Sequence, residues 1–190
     1  TRIEGSSNVG GVAGTNSGLI TTVSINTSVT GSEYVGGVVG TNLDGVVRDI
    51  TVTGHVTGDQ DVGAIAGRNQ ATIMKSSANS TVKGSSNVGG VAGKQTGLIT
   101  NVSADAPVEG TSNVGGLVGR NRRVGTIKNT FATGRVTGSE SVGGLVGLSS
   151  GSVTNSYWDT NRTGQSTSNG GTPLTTAQMT GTAARSNMNG

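Results

Sequence analysis

A chain of 190 residues with 35 Gly but only one Trp, two Tyr and one Phe cannot build an ordinary globular core. Its net charge of +3, from 13 Lys+Arg against 10 Asp+Glu, is too mild for a nucleic-acid-binding tail. The absence of Cys removes disulfides and thiolate metal sites, and no apolar run nears the ~18 residues of a membrane span.

The chain opens inside a repeat, with no secretory signal, and reads as a monomeric piece cut from a longer protein. Its organising phrase is Val-Gly-Gly-Leu-Val-Gly at 114–119. Close copies start at Val9, Val35, Val62, Val88 and Val142. A near-constant period of this size signals stacked repeats, in which each unit contacts only its neighbours.

Fixed columns flank the phrase. Six residues before each copy stand Ile3, Val29, Val56, Val82, Val108 and Val136. Two residues after each of these comes Gly5, Gly31, Gly58, Gly84, Gly110 or Gly138. Glycine in every copy predicts a backbone angle closed to residues bearing a Cβ. Seven residues after the first Val of each copy stand Asn16, Asn42, Asn69, Gln95, Asn121 and Ser149. This column predicts left-handed corners bonded to their own backbone, with side-chain amides that also bond from rung to rung. Length variation collects just after it, so that corner is the exposed and variable one.

The rest of each repeat alternates. In the second copy Val47, Ile50, Val52, Gly54 and Val56 are predicted to face in, and Arg48, Asp49, Thr51, Thr53, His55 and Thr57 to face out or lie at a bend. The column Thr27, Gly54, Ser80, Ala106 and Gly134 is small throughout, which predicts a tight interior there. About three short strands per repeat predict an all-β fold: a β-solenoid of about six coils over 1–156, with a repeat of about 26 residues. A C-terminal cap is expected over 157–181, with Tyr157 and Trp158 covering the last coil, and a disordered tail over 182–190. Residues 160–172 show no periodicity. Thr175 and Gln178 match a capping box between Leu174 and Met179, predicting one or two helical turns.

The fifth copy, continuing through Gly125-Thr126-Ile127-Lys128-Asn129-Thr130-Phe131-Ala132-Thr133-Gly134-Arg135-Val136, resembles the GLUG repeat. The ending, Tyr157-Trp158-Asp159 with Gly164-Gln165 and Leu174-Thr175-Thr176-Ala177-Gln178-Met179, resembles the segment that closes many GLUG arrays. The resemblance covers about 3–180. GLUG repeats occur in large exported bacterial surface proteins. These include filamentous-haemagglutinin-like adhesins of two-partner secretion, and some IgA-cleaving metallopeptidases carry them beside the catalytic part. The resemblance therefore implies an extracellular or cell-surface location and a role in adhesion and biofilm. The third copy departs from the pattern at Ala64 and in Gln70-Ala71-Thr72, and a local distortion is expected there.

Catalysis has little support. His55 is the sole histidine, at an outward position, so a His-Glu-x-x-His metal site is impossible within these residues. No catalytic residue, metal or cofactor is assigned, and the chain is expected not to be an enzyme. Asp59 and Asp61 share one corner where calcium is conceivable, but calcium wants about six to eight oxygens and a solvated turn is the plainer reading. A threonine array for ice is broken by Asp105 and Phe131.

The residue before the Asn/Gln column is Arg68, Lys94 and Arg120 in three consecutive copies, and Arg122, Arg123 and Arg135 follow. This row is the candidate contact for a polysaccharide or a host or matrix surface, since aligned like charges focus a field. The function expected is a structural and adhesive segment of a bacterial adhesin touching a glycan. The alternatives are an inert spacer presenting another domain and an accessory region of a secreted IgA-type metallopeptidase.

Overall fold

The computed structural model describes residues 2–180 and is a β-solenoid of six stacked coils. The tail expected over 182–190 lies outside the described residues. In the second coil the strands are Glu33–Gly36, Val39–Asn42 and the long Val46–Thr57. Equivalent strands pair in parallel from coil to coil, forming one ten-stranded and two six-stranded sheets. The first Val of each phrase pairs with the next along the whole stack: Val9 with Val35, then Val62, Val88, Val114 and Val142. At roughly 4.8 Å per strand the six coils rise about 24 Å. Among the described residues no helix is long and apolar enough to cross a membrane.

The interior is the predicted aliphatic column. Val47, Ile50, Val52 and Val56 are buried while Asp49, Thr51 and His55 are exposed. Alternation slips between Val47 and Ile50 because Asp49 takes φ +55°, turning the strand by one extra outward residue. The same left-handed position recurs at Thr22, Lys75, Asn101, Asn129 and Asn155. A second left-handed column precedes each phrase: Asn8, Tyr34, Asp61, Asn87, Asn113 and Ser141, at φ 51–54°.

Left-handed backbone was expected in two other columns, and both expectations are corrected. Among the described residues, neither Gly5, Gly31, Gly58, Gly84, Gly110 and Gly138 nor Asn16, Asn42, Asn69 and Asn121 has positive φ. The glycine column is fixed by space instead. A Cβ on Gly84 would lie 2.9 Å from a methyl of Val62 and 2.9 Å from one of Val88. The glycines of the phrase likewise let backbones touch. A Cβ on Gly63 would meet Ala92 Cα at 2.6 Å, and one on Gly67 would run into the backbone of Tyr34. The small column also holds, since a Cβ on Gly134 would run into the carbonyl oxygen of Ala106.

The third coil keeps its register. Val62 pairs with Val35 and Val88, and Ala66 pairs with Val39 and Ala92, so the distortion expected near Ala64 does not reach the pairing.

At the far end Trp158 pairs with Ala132 and joins the hydrophobic core, 3 % exposed. Tyr157 does not cover the core. It sits one residue earlier in alternation, paired with outward Phe131. Residues 160–172 are part of the cap. Asp159 Oδ1 accepts from the backbone N–H groups of Asn161 and Arg162, starting the short helix Thr160–Thr163. The Trp158 indole donates to the Gln165 carbonyl at 2.9 Å, and the Ser168 hydroxyl accepts from the N–H groups of Leu145 and Val146. Strand Thr172–Leu174 then pairs with the end of Ser152–Asp159. These contacts satisfy an edge that would otherwise be open to pairing. The Thr175/Gln178 capping box forms, with the Thr175 N–H donating to Gln178 Oε1 at 2.9 Å, and it closes a single turn rather than a helix.

Candidate functional site

Arg68, Lys94 and Arg120 occupy one column, each paired in register with the next on successive short strands. Thr41 precedes the row and Leu148 ends it. All three cationic residues are half-buried, so their stems lie along the coil surface.

The row lies over the left-handed column of the neighbouring strands. In the first two coils the Thr41 hydroxyl donates to Asn8 Oδ1 at 2.7 Å. One coil further the Arg68 guanidinium stacks over the Tyr34 ring, 4.2 Å from its centroid. Arg68 Nη2 also reaches Asp61 Oδ2 at 3.5 Å, and the Asp61 side chain is fully buried. Asp61 Oδ1 accepts from Asn87 Nδ2 at 2.7 Å, and Asn87 Oδ1 accepts from Asn113 Nδ2 at 2.9 Å. A buried carboxylate without partners would be costly, and these bonds hold it in place. Arg68 Nε is buried and has no partner.

Burial pushes the Lys94 ammonium below its ordinary value. Asp61 pulls it back up, while Arg68, Arg122 and Arg120 push it further down. The row is therefore a set of mutually repelling cations partly offset by one acid beneath them. Sequence reasoning missed Asp61, Tyr34 and Asn87 as members of the site. Their signal was the residue before each phrase, where Asn recurs at 8, 87 and 113.

Arg122 and Arg123 are exposed in the insertion between strands Val118–Asn121 and Thr126–Ala132. Arg122 belongs with the row through its effect on Lys94. Arg135 does not. It lies between Ala132 and Val136 on the ten-stranded side and borders a hollow with Asn161 and Gln165 of the cap. The predicted run of cations from the row to Arg135 is corrected accordingly.

Beside the row, the corner amides form the predicted ladder. Asn16 donates to Asn42 at 2.9 Å, Asn42 to Asn69 at 2.8 Å, and Asn69 to Gln95 at 2.7 Å. The ladder fails once. Gln95 Nε2 donates to the Thr126 carbonyl instead, and Asn121 Oδ1 is buried without a partner. The break falls where this corner is two residues longer. Gly18 N–H donates to Asn16 Oδ1 at 3.1 Å, whereas Gly125 N–H donates to the Arg122 carbonyl at 2.7 Å.

Asp59 and Asp61 do not converge. Asp61 is buried on Arg68 and Asn87, while Asp59 is exposed and engages the Ser32 and Ser85 backbones. Among the described residues no three of His, Cys, Asp or Glu cluster to hold a metal. His55 is exposed on the outer face, paired with Ser28 and Thr81.

The GLUG motif matches two stretches, 31–57 and 110–137. Each begins at a space-limited glycine and runs through one turn of the solenoid, from Gly31 to Thr57 and from Gly110 to Thr137. No curated protein and no solved structure shows significant similarity to the chain.

Proposed function

We propose that this stack, two of whose coils match the GLUG motif, is a structural and adhesive segment of an extracellular bacterial surface protein that contacts an anionic or polyhydroxylated glycan. The observation that carries the reading is the in-register column Arg68, Lys94 and Arg120, extended by Arg122. Three cations one strand spacing apart span about 10 Å, close to two sugar units. Each contributes little alone under solvent screening, so affinity comes from repetition along the axis. The structural half of the role is supported by the parallel backbone pairing from coil to coil and by the amide ladder of the first four coils, which tie the body together along its length. The segment is read as non-catalytic, because His55 stands alone on the outer face.

The test is binding of the chain to a panel of bacterial and host polysaccharides across a salt series. It is repeated on a Lys94→Gln, Arg120→Gln, Arg122→Gln variant. Arg68 is kept because it holds the buried Asp61. Binding that weakens with salt and is lost in the variant supports the reading. Equal binding by both reduces the row to a solvated corner. No binding by either favours the spacer role.

A further inference from the structure

The outer face of the ten-stranded sheet is not flat. The left-handed residue in each long strand bends it, and two adjoining hollows of about 490 and 550 Å³ lie on that face. They share Ser77, Ser103 and Phe131, so they form one groove running across successive coils. Each hollow is within the size range of about 300–1,000 Å³ typical of small-ligand sites. The second is closed at the C-terminal end by the cap, with Arg162 at its border.

Phe131 is the unusual residue. Earlier coils carry Ser24, Thr51, Ser77 and Ser103 in its column, so the fold does not need an aromatic side chain there. Its neighbour Tyr157 is covered, 8 % exposed, whereas Phe131 remains 36 % exposed. The groups around it are polar and arranged. Thr133 Oγ1 donates to Asp105 Oδ1 at 2.7 Å, and Arg162 Nη2 donates to the same oxygen at 2.6 Å, leaving Asp105 Oδ2 unengaged among the described residues. The ion pair bridges the fourth coil and the cap, and with Asp159 also lining it the hollow carries two acids against one base. A ring face flanked by hydroxyls and an unengaged carboxylate oxygen suits a ligand with an apolar face and many hydroxyl groups. The excess acid disfavours an anion. The repeat of the groove, roughly 4.8 Å per coil, is close to the advance of one sugar unit.

We propose that this groove binds a neutral polyhydroxylated sugar chain, with the Phe131 ring as platform for one pyranose face and Ser77, Ser103, Thr133 and Asp105 as partners for its hydroxyls. The site lies on a different sheet from the cation row and does not depend on it.

The chain has a single Phe, so selective labelling gives ring signals that belong to Phe131 alone. The probes are neutral hexasaccharides of β-1,4-glucose, β-1,3-glucose and α-1,6-mannose, with a heparin hexasaccharide as the anionic control. At least one neutral probe is expected to move the Phe131 ring signals saturably, and raising salt to about 0.5 M should leave the affinity unchanged. Phe131→Ser, which installs the side chain of the neighbouring coils, should weaken that binding about tenfold or more, and Phe131→Trp should keep it. The Lys94/Arg120/Arg122 variant should bind the neutral probe like the wild type. The proposal is overturned if no neutral probe moves the ring. It is also overturned if Phe131→Ser binds equally well or changes only the melting temperature. Ring shifts with heparin alone also overturn it, while leaving the adhesive role of the cation row standing.

Discussion

The side-chain amide of Asn42 donates to Oδ1 of Asn69 at 2.8 Å, and both side chains are fully buried. Asn42 also accepts from Asn16, so one residue joins three coils. Asn42→Ala leaves a donor on Asn16 and an acceptor on Asn69 without partners in a dry interior. The expected loss is about 2–3 kcal/mol in denaturant unfolding. Asn42→Gln should cost less, because Gln95 already serves this column. An alanine variant as stable as the wild type would mean the ladder contributes nothing.

Asn121 makes the opposite case. Its Oδ1 is buried and unpaired because, in the longer corner, the Gly125 N–H donates to the Arg122 carbonyl instead of to it. Deleting Arg122 and Arg123 restores the two-residue spacing at which Gly18 N–H meets Asn16 Oδ1. The shortened chain should melt at the same temperature or up to about 3 °C higher. A clear drop would show that the longer loop has its own stabilising contacts.

The glycine column is predicted to fail by crowding. Gly84→Ala places a methyl 2.9 Å from Val62 and Val88 methyls at a backbone angle that alanine accepts. The expected cost is about 1–3 kcal/mol. In a Val88→Ala background the same substitution should cost measurably less, giving a nonzero coupling in a double-mutant cycle. Additive losses would point back to backbone strain.

Lys94 is charged against its surroundings. Its folded pKa is lowered, first by burial, so the unfolded state binds the proton more tightly. The charged lysine therefore costs stability at neutral pH. That cost fades as pH rises through the lowered folded value to the ordinary value of 10.5, where both states lose the proton. Lys94→Gln should raise the melting temperature by about 1–2 °C at pH 7 in low salt. The gain should shrink towards zero near pH 10.5. A gain that is constant with pH would assign the effect to packing.

The coil count, the core column and the cation register were legible because they repeat at a near-constant spacing, and parallel in-register stacking turns that spacing into contact. The left-handed columns were not. Tyr34, Thr22 and Lys75 sit at positive φ, where the side chain carries no such signal, and only the Asn members of these columns hinted at it. The glycine of the fixed corner pointed to the wrong cause, because space and torsion both exclude a Cβ and only the packing around it tells them apart. The cap was expected over 157–181, but how 160–172 holds the last coil was not legible, for a related reason. Its hydrogen bonds go to backbone groups of the last coil, and Ser168 or Gln165 has no periodic partner to betray it. The reach of Asp61 to Arg68 was hidden because it crosses from one sheet to the next.

Coils two and three present matching upper and lower surfaces: a valine pair around a glycine, an amide rung and three parallel strand edges. A tandem duplication of one such repeat in the gene would therefore yield a protein with these contacts satisfied and one strand spacing added to its height. Loss of a repeat would subtract the same step. The molecule is graduated like a ruler, and replication slippage can change its reach in fixed increments without a new core having to evolve.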